Sequence, residues 1–130
     1  MKAKILYIED NTQNFYLVNF ILTAADCEVL WAKDGPEGLE LAARGWADLI
    51  LLDIQLPGMD GYAVARALRA SAALDSTPIV ALTSYAMAGD REKALEAGCT
   101  GYIEKPINPG TFAAQVERHV LDAQARRAPS

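Results

Sequence analysis

No stretch of this 130-residue chain could cross a bilayer as a helix. That takes about 20 consecutive apolar residues, and polar residues interrupt every apolar run long before that length. The opening residues, MKAKILYIED, carry a short apolar run broken at once by two acids, which excludes a signal peptide as well. Metal-binding side chains of the soft kind are scarce. His119 is the only imidazole, and Cys27 and Cys99 are the only thiols, far apart and with no CxxC pair. A structural zinc site is thereby excluded, and two buried, inert thiols in a reducing cytoplasm is the reading that fits. Positive charge is also in deficit, with 12 Lys and Arg against 17 Asp and Glu, a net charge of −5. Nucleic acid and anionic membrane are usually met with a basic excess, so neither is expected as a partner.

What is present is an ordinary globular composition, 52% apolar and 22% charged, at a length that fits one domain with a real core. Short apolar runs alternate with longer segments of helical character. KILYI (4–8), CEVLW (27–31), DLILLD (48–53), PIVAL (78–82) and TGYIE (100–104) read as strands. Several are apolar at consecutive positions, as strands covered on both faces are. Between them, 12–25, 36–44, 61–73, 87–97 and 110–124 read as helices. Five such repeats imply an α/β domain with a parallel sheet and helices on both faces. Right-handed crossovers then lead to a flavodoxin-like, doubly wound (βα)5 sheet of order 2-1-3-4-5. The domain is expected to span 1–124, with 125–130 a polar tail whose Arg126 and Arg127 are too few for a nucleic-acid patch.

In this fold class ligands bind outside the carboxyl ends of the strands. There the sequence places Glu9 and Asp10 after the first strand, Asp53 at the end of the third, Thr83 after the fourth, and Glu104 and Lys105 after the fifth. Two carboxylates about 4 Å apart at an effective dielectric near 20 repel by roughly 4 kcal/mol. Three of them beside one lysine would be relieved by a divalent cation. Hard oxygen ligands without imidazole favour Mg²⁺ over zinc. A hydroxyl and an ammonium beside an acid and a metal suit a transferred phosphoryl group. Alternative roles stay open for each group: Glu9 and Asp10 could cap the helix beginning near Thr12, Thr83 could cap a helix, and Lys105 could be solvated. A flavin or nucleotide domain would want a Gly- or Ser/Thr-rich loop where EDNTQN stands.

These residues, in this order, resemble the receiver domain of two-component response regulators over about Lys4 to Leu121. The segments IEDNTQN (8–14) and ALTSYAMAGDREKALEAGCTGYIEKPI (81–107) are most similar to stand-alone regulators of the cell-division, polar-differentiation type. They are equally similar to receivers attached to hybrid histidine kinases. The resemblance implies that Asp53 accepts phosphate from a phosphohistidine donor. It implies that Asp10, Asp53 and the Gln55 carbonyl hold Mg²⁺, with Glu9 reaching it through water. Thr83 would hydrogen-bond the phosphoryl oxygen, Lys105 would pair with it, and the Lys105–Pro106 bond would be cis.

The resemblance also makes Thr83 and Tyr102 a switch acting on the face built by the fourth helix, fifth strand and fifth helix. Gln55 and Tyr85 would flank the hydrolytic water and tune phosphate lifetime. The implied partners are a histidine kinase or histidine phosphotransfer protein and a downstream protein. The chain itself would be no turnover enzyme, catalysing only its own phosphorylation and dephosphorylation. It would be cytoplasmic, a monomer or a weak phosphorylation-dependent dimer, and, with no output domain after residue 124, would act by protein contact. His119 is expected to be structural or exposed. Phe15, Tyr16 and Phe20 make the first helix apolar nearly all round, which suits either burial or docking of a kinase or phosphotransfer helix beside the acids.

Overall fold

In a computed structural model, residues 2–56, 58, 60–84 and 89–127 are described. Five strands, β1 (Lys4–Ile8), β2 (Glu28–Ala32), β3 (Leu49–Asp53), β4 (Ile79–Thr83) and β5 (Gly101–Glu104), form one sheet of order β2-β1-β3-β4-β5. All four pairings are parallel. Helices α1 (Thr12–Ala24), α2 (Gly35–Ala42), α3 (Gly61–Arg69), α4 (Asp90–Glu96) and α5 (Phe112–Arg127) follow the strands in turn. This is the doubly wound architecture read from the sequence. Among the described residues no helix is long and apolar enough to cross a membrane.

The consecutive apolar strands are those buried on both faces. Every residue of β3 and β4 is buried, as is all of β1 after Lys4, while the edge strand β2 is half-buried over most of its length. Because side chains alternate across a strand, each central strand feeds two cores. Ile5, Tyr7, Leu49, Leu51, Val80 and Leu82 pack against Val18 and Leu22 of α1 and Phe112, Val116 and Val120 of α5. Leu6, Ile8, Ile50, Leu52, Ile79 and Ala81 pack on the other side, against residues of α2, α3 and α4. Cys27 and Cys99 are both buried, one in each core.

Element ends shift by a residue or two for physical reasons. The second strand begins at Glu28 rather than Cys27, because the Cys27 N–H closes the end of α1 on the Leu22 carbonyl at 2.9 Å. The segment 61–73 is not one helix. α3 stops at Arg69, Ser71 is extended, and a short 3₁₀ turn covers Ala72–Leu74. α5 continues to Arg127, past the expected boundary at 124.

The Arg69 side chain explains the break after α3. Its guanidinium donates to the carbonyls of Leu74 (2.6 Å), Thr77 (3.0 Å) and Gly98 (3.0 Å). One side chain thus closes the loop into β4 and receives the end of α4, where Gly98 turns with φ +100. Arg69→Ala would leave those carbonyls without their charged donor. It is expected to lower unfolding free energy by about 2–4 kcal/mol, read as a reduced urea midpoint at unchanged m.

Candidate functional site

The parallel register brings the strand ends to one edge. Ile8 pairs with Leu52, so Glu9 and Asp53 stand side by side one step further on. Thr83 pairs with Glu104, and the Lys105 N–H continues the ladder to the Thr83 carbonyl at 2.8 Å. The oxygens of Glu9, Asp10 and Asp53 all lie within 4.8 Å of one another. Lys105 Nζ stands 3.1 Å from Asp53 Oδ2, and the Lys105–Pro106 bond is cis. Of the six groups expected at the strand ends, Glu9, Asp10, Asp53 and Lys105 are therefore brought together, and Thr83 ends the neighbouring strand. Glu9, Asp53 and Thr83 are the buried polar residues among the described ones.

The loop behind Asp53 is built by glycine. A Cβ at Gly61 would lie 2.4 Å from the Ile54 Cα, so only glycine lets α3 start directly against the end of β3. Asp60 caps α3, its side chain accepting from the Tyr62 N–H. Within the loop the Gln55 N–H donates to Asp53 Oδ1 at 2.9 Å, and the Gln55 side chain accepts from the Ser84 N–H at 3.3 Å. Gln55 thereby links the loops after β3 and β4. Tyr85, the other expected lifetime residue, lies outside the described residues, as do Pro57 and Met59 of the glycine loop.

Glu9 is held from several sides. Its N–H donates to the Ala32 carbonyl at 2.9 Å, and its Oε1 accepts from Asn14 Nδ2 at 2.6 Å. The helix-capping role open to Glu9 and Asp10 belongs instead to Asn11, whose side chain accepts from the Asn14 N–H. Glu9 is wholly buried, yet its Oε2 has no hydrogen-bond partner, and the buried Tyr7 hydroxyl also lacks one. Burial, then the proximity of Asp53, pushes the Glu9 carboxyl up to about 8. As an acid it can donate to Asp53. Burial alone would raise Asp53 too, but the Glu9 proton, the Gln55 N–H and Lys105 carry it below its usual value. Three carboxylates that each bring an oxygen to one point are the hard donor set a divalent cation fits.

Thr83 and Tyr102 share one face of the sheet. Ala81 pairs with Tyr102, and Thr83 lies two residues beyond Ala81, so both side chains point towards α4. Tyr102 packs against that core with the Arg91 guanidinium 6.0 Å from its ring centre. Beside it the α4–β5–α5 face carries a groove of about 540 Å³ lined by Arg91, Tyr102, Gln115 and His119. His119 is half-buried over Gly101, where a Cβ would come within 2.4 Å of its Cε1. That is the structural role expected of it.

On α1 the three aromatics divide. Phe15 packs inward, stacked on Trp31 at 4.1 Å, and is not free for docking. Tyr16 and Phe20 are exposed, at 62% and 75%. Sequence reasoning missed Asn14, Tyr7 and Trp31 as neighbours of the acids. Of these only Asn14, at helical spacing after the acidic pair, left any signal.

Proton linkage at Glu9 has a testable sign. A group whose folded pKa lies above its unfolded value contributes stability below the unfolded value and loses it as pH rises through the folded one. For Glu9 that window runs from about 4.5 to about 8. Burial lowers the His119 pKa below 6.5, so its own contribution rises with pH in the lower part of the window. Comparison with Glu9→Gln cancels it. With divalent cations chelated, the stability advantage of the native chain over Glu9→Gln is expected to shrink steadily from pH 5 to pH 8, measured by urea unfolding.

Known proteins share this fold. The response regulator receiver domain model matches residues 5–117. The polar-differentiation response regulator DivK of Brucella ovis is 36% identical over 123 residues, 95% of this chain and all of that protein. Among solved structures, the Vibrio cholerae chemotaxis protein CheY4 is 31% identical with a TM-score of 0.85, covering 92% of this chain and 99% of that one. The receiver domain of sensor histidine kinase PA1611 from Pseudomonas aeruginosa PAO1, solved with a magnesium ion coordinated in its active site cleft, is 34% identical. Its TM-score is 0.82, over 92% of this chain and 98% of that one. With its strand-end acids, hydroxyl and lysine gathered at one edge of a 2-1-3-4-5 sheet, the chain belongs to the response regulator receiver domains of two-component signalling.

Proposed function

We propose that this receiver takes a phosphoryl group from a phosphohistidine of a histidine kinase or histidine phosphotransfer protein onto Asp53. The observation that carries the reading is the Asp53 carboxylate itself. It is buried at a strand end, 3.1 Å from Lys105 Nζ and within 4.8 Å of Glu9 and Asp10 oxygens. An Asp53 oxygen attacks phosphorus, the phosphorus–nitrogen bond to histidine breaks, and an acyl phosphate results. Its lowered pKa keeps Asp53 ionised, as a nucleophile requires. Lys105, already ion-paired with Asp53, turns to the phosphoryl oxygens, and the Thr83 hydroxyl donates to one of them.

Asp10, Asp53 and the Gln55 carbonyl would hold Mg²⁺, with Glu9 bound through water. Bound there, Mg²⁺ supplies neutralisation of the charge that phosphoryl transfer gathers on oxygen. The readout follows from the shared face of Thr83 and Tyr102. When Thr83 moves to the phosphoryl group, Tyr102 rotates into the vacated space, changing the α4–β5–α5 groove for a downstream protein. The phosphorylation-like conformation is a minor state beforehand. Gln55 stands beside the path of the hydrolytic water and tunes lifetime together with Tyr85. The protein acts in the cytoplasm as a monomer or weak phosphorylation-dependent dimer, by protein contact.

Mass spectrometry after incubation with Mg²⁺ and acetyl phosphate tests this. One phosphoryl mass is expected, dependent on Mg²⁺ and lost in Asp53→Asn. No added mass from either acetyl phosphate or a phosphorylated histidine phosphotransfer protein would leave an interaction module that works without phosphate. For the partner surface, Phe20→Ala is expected to slow transfer from a histidine phosphotransfer protein at least tenfold while leaving acetyl phosphate labelling unchanged. Equal slowing of both would mean that Phe20 acts on the fold.

A further inference from the structure

Trp31 is placed where an edge strand does not need a large aromatic. β2 is half-buried over its middle positions, so its side chains there need not be covered on both sides. Yet the indole lies flat on Phe15, ring centres 4.1 Å apart and planes within 7°. Phe15 in turn stacks on Tyr7, at 6.5 Å and 24°. From that stack the indole N–H donates to the carbonyl oxygen of Glu9 at 2.6 Å. With the Glu9 N–H already given to Ala32, both main-chain polar groups of the first acid are tied to neighbouring positions of β2.

We infer that Trp31 is a positioning residue for the acidic site, fixing the Glu9 main chain so that the acids after β1 face Asp53 and setting the affinity for a divalent cation. The inference rests on the magnesium reading proposed above. Its physical basis is preorganisation. The carboxylates of Asp10 and Asp53, whose oxygens lie within 4.8 Å of each other, repel, and the segment bearing Glu9 and Asp10 would relax outward if its main chain were loose. A cation would then have to gather the ligands again as it bound, at a cost in affinity. A tryptophan held flat by Phe15 has its ring torsions set, so its hydrogen bond costs little further ordering. The opposing view is that Trp31 only fills space.

Trp31→Phe removes the N–H and the five-membered part of the ring while keeping an aromatic face on Phe15. Phe15→Leu, which loosens the stack but leaves the N–H in place, is the control that separates the two, since a space-filling role predicts that both weaken Mg²⁺ binding alike. Mg²⁺ affinity of the intact chain is measured by titration calorimetry, well below the unfolding temperature. Loss of one hydrogen bond that orders the ligands corresponds to a roughly 3- to 10-fold weaker Kd. A Kd within twofold of the native value would overturn the inference. A second measurement covers a variant that does not fold. In Trp46→Phe the indole of Trp31 is the only one left, and its fluorescence anisotropy should already be that of a rigid side chain in the cation-free chain and stay so during Mg²⁺ titration. Low anisotropy without the cation that rises with the calorimetric midpoint would overturn the inference. Absence of Mg²⁺ binding to the native chain by calorimetry would overturn the magnesium reading, and the inference with it.

Discussion

Like charges held close together at the carboxyl edge of the sheet are what the rest of this structure is organised around. Glu9, Asp10 and Asp53 each bring one carboxylate oxygen within 4.8 Å of the others, with Lys105, among the described residues, the one ion-paired to offset them. At about 4 Å and an effective dielectric near 20, each ionised pair costs roughly 4 kcal/mol. The fold can hold such an arrangement only with a rigid frame, and the frame is visible. β1 and β3 are buried central strands, so the two acid-bearing ends cannot splay apart. Burial beside Asp53 pushes the Glu9 carboxyl up to about 8, while the hydrogen bond from Glu9, the Gln55 N–H and Lys105 hold Asp53 below its usual value.

Alternation along the strands then divides the work between the two faces. Tyr7 and Leu51 belong to the α1–α5 core, and Glu9 and Asp53 continue their respective strands on that same side. Thr83 and Tyr102 lie on the α4 side. The site therefore straddles the sheet. In the proposed mechanism chemistry takes place on one face and readout on the other, and Thr83, beside the end of β3, is where the two meet. Gln55 adds a second tie, joining the loops that follow β3 and β4.

Much of this was legible in the sequence, for identifiable reasons. The order of strands and helices followed from short apolar runs of consecutive residues, as strands covered on both faces show, alternating with longer segments of helical character. The site residues could be picked out because charged and hydroxyl groups at the ends of such runs have no packing role. Helix ends were less legible. Nothing in ARALRASAAL, an alanine-rich run, announces that Arg69 turns back to three carbonyls and stops α3. The three aromatics of α1 could not be sorted either, because in a helix apolar nearly all round the buried stripe is hard to tell from the rest.

The sequence by itself determined the fold class and which residues end the strands, since burial pattern and strand-end chemistry are properties of neighbours along the chain. Tertiary structure alone decided what surrounds those residues. Trp31 reaches Glu9 across 22 positions and Arg69 reaches Gly98 across 29. Tyr7, two residues before Glu9, reads along the chain as one more apolar strand position. Contacts of this kind depend on where separate elements meet and on rotamers chosen by packing. No local pattern encodes them, so the groups that hold the acids in place become visible only once the sheet has closed.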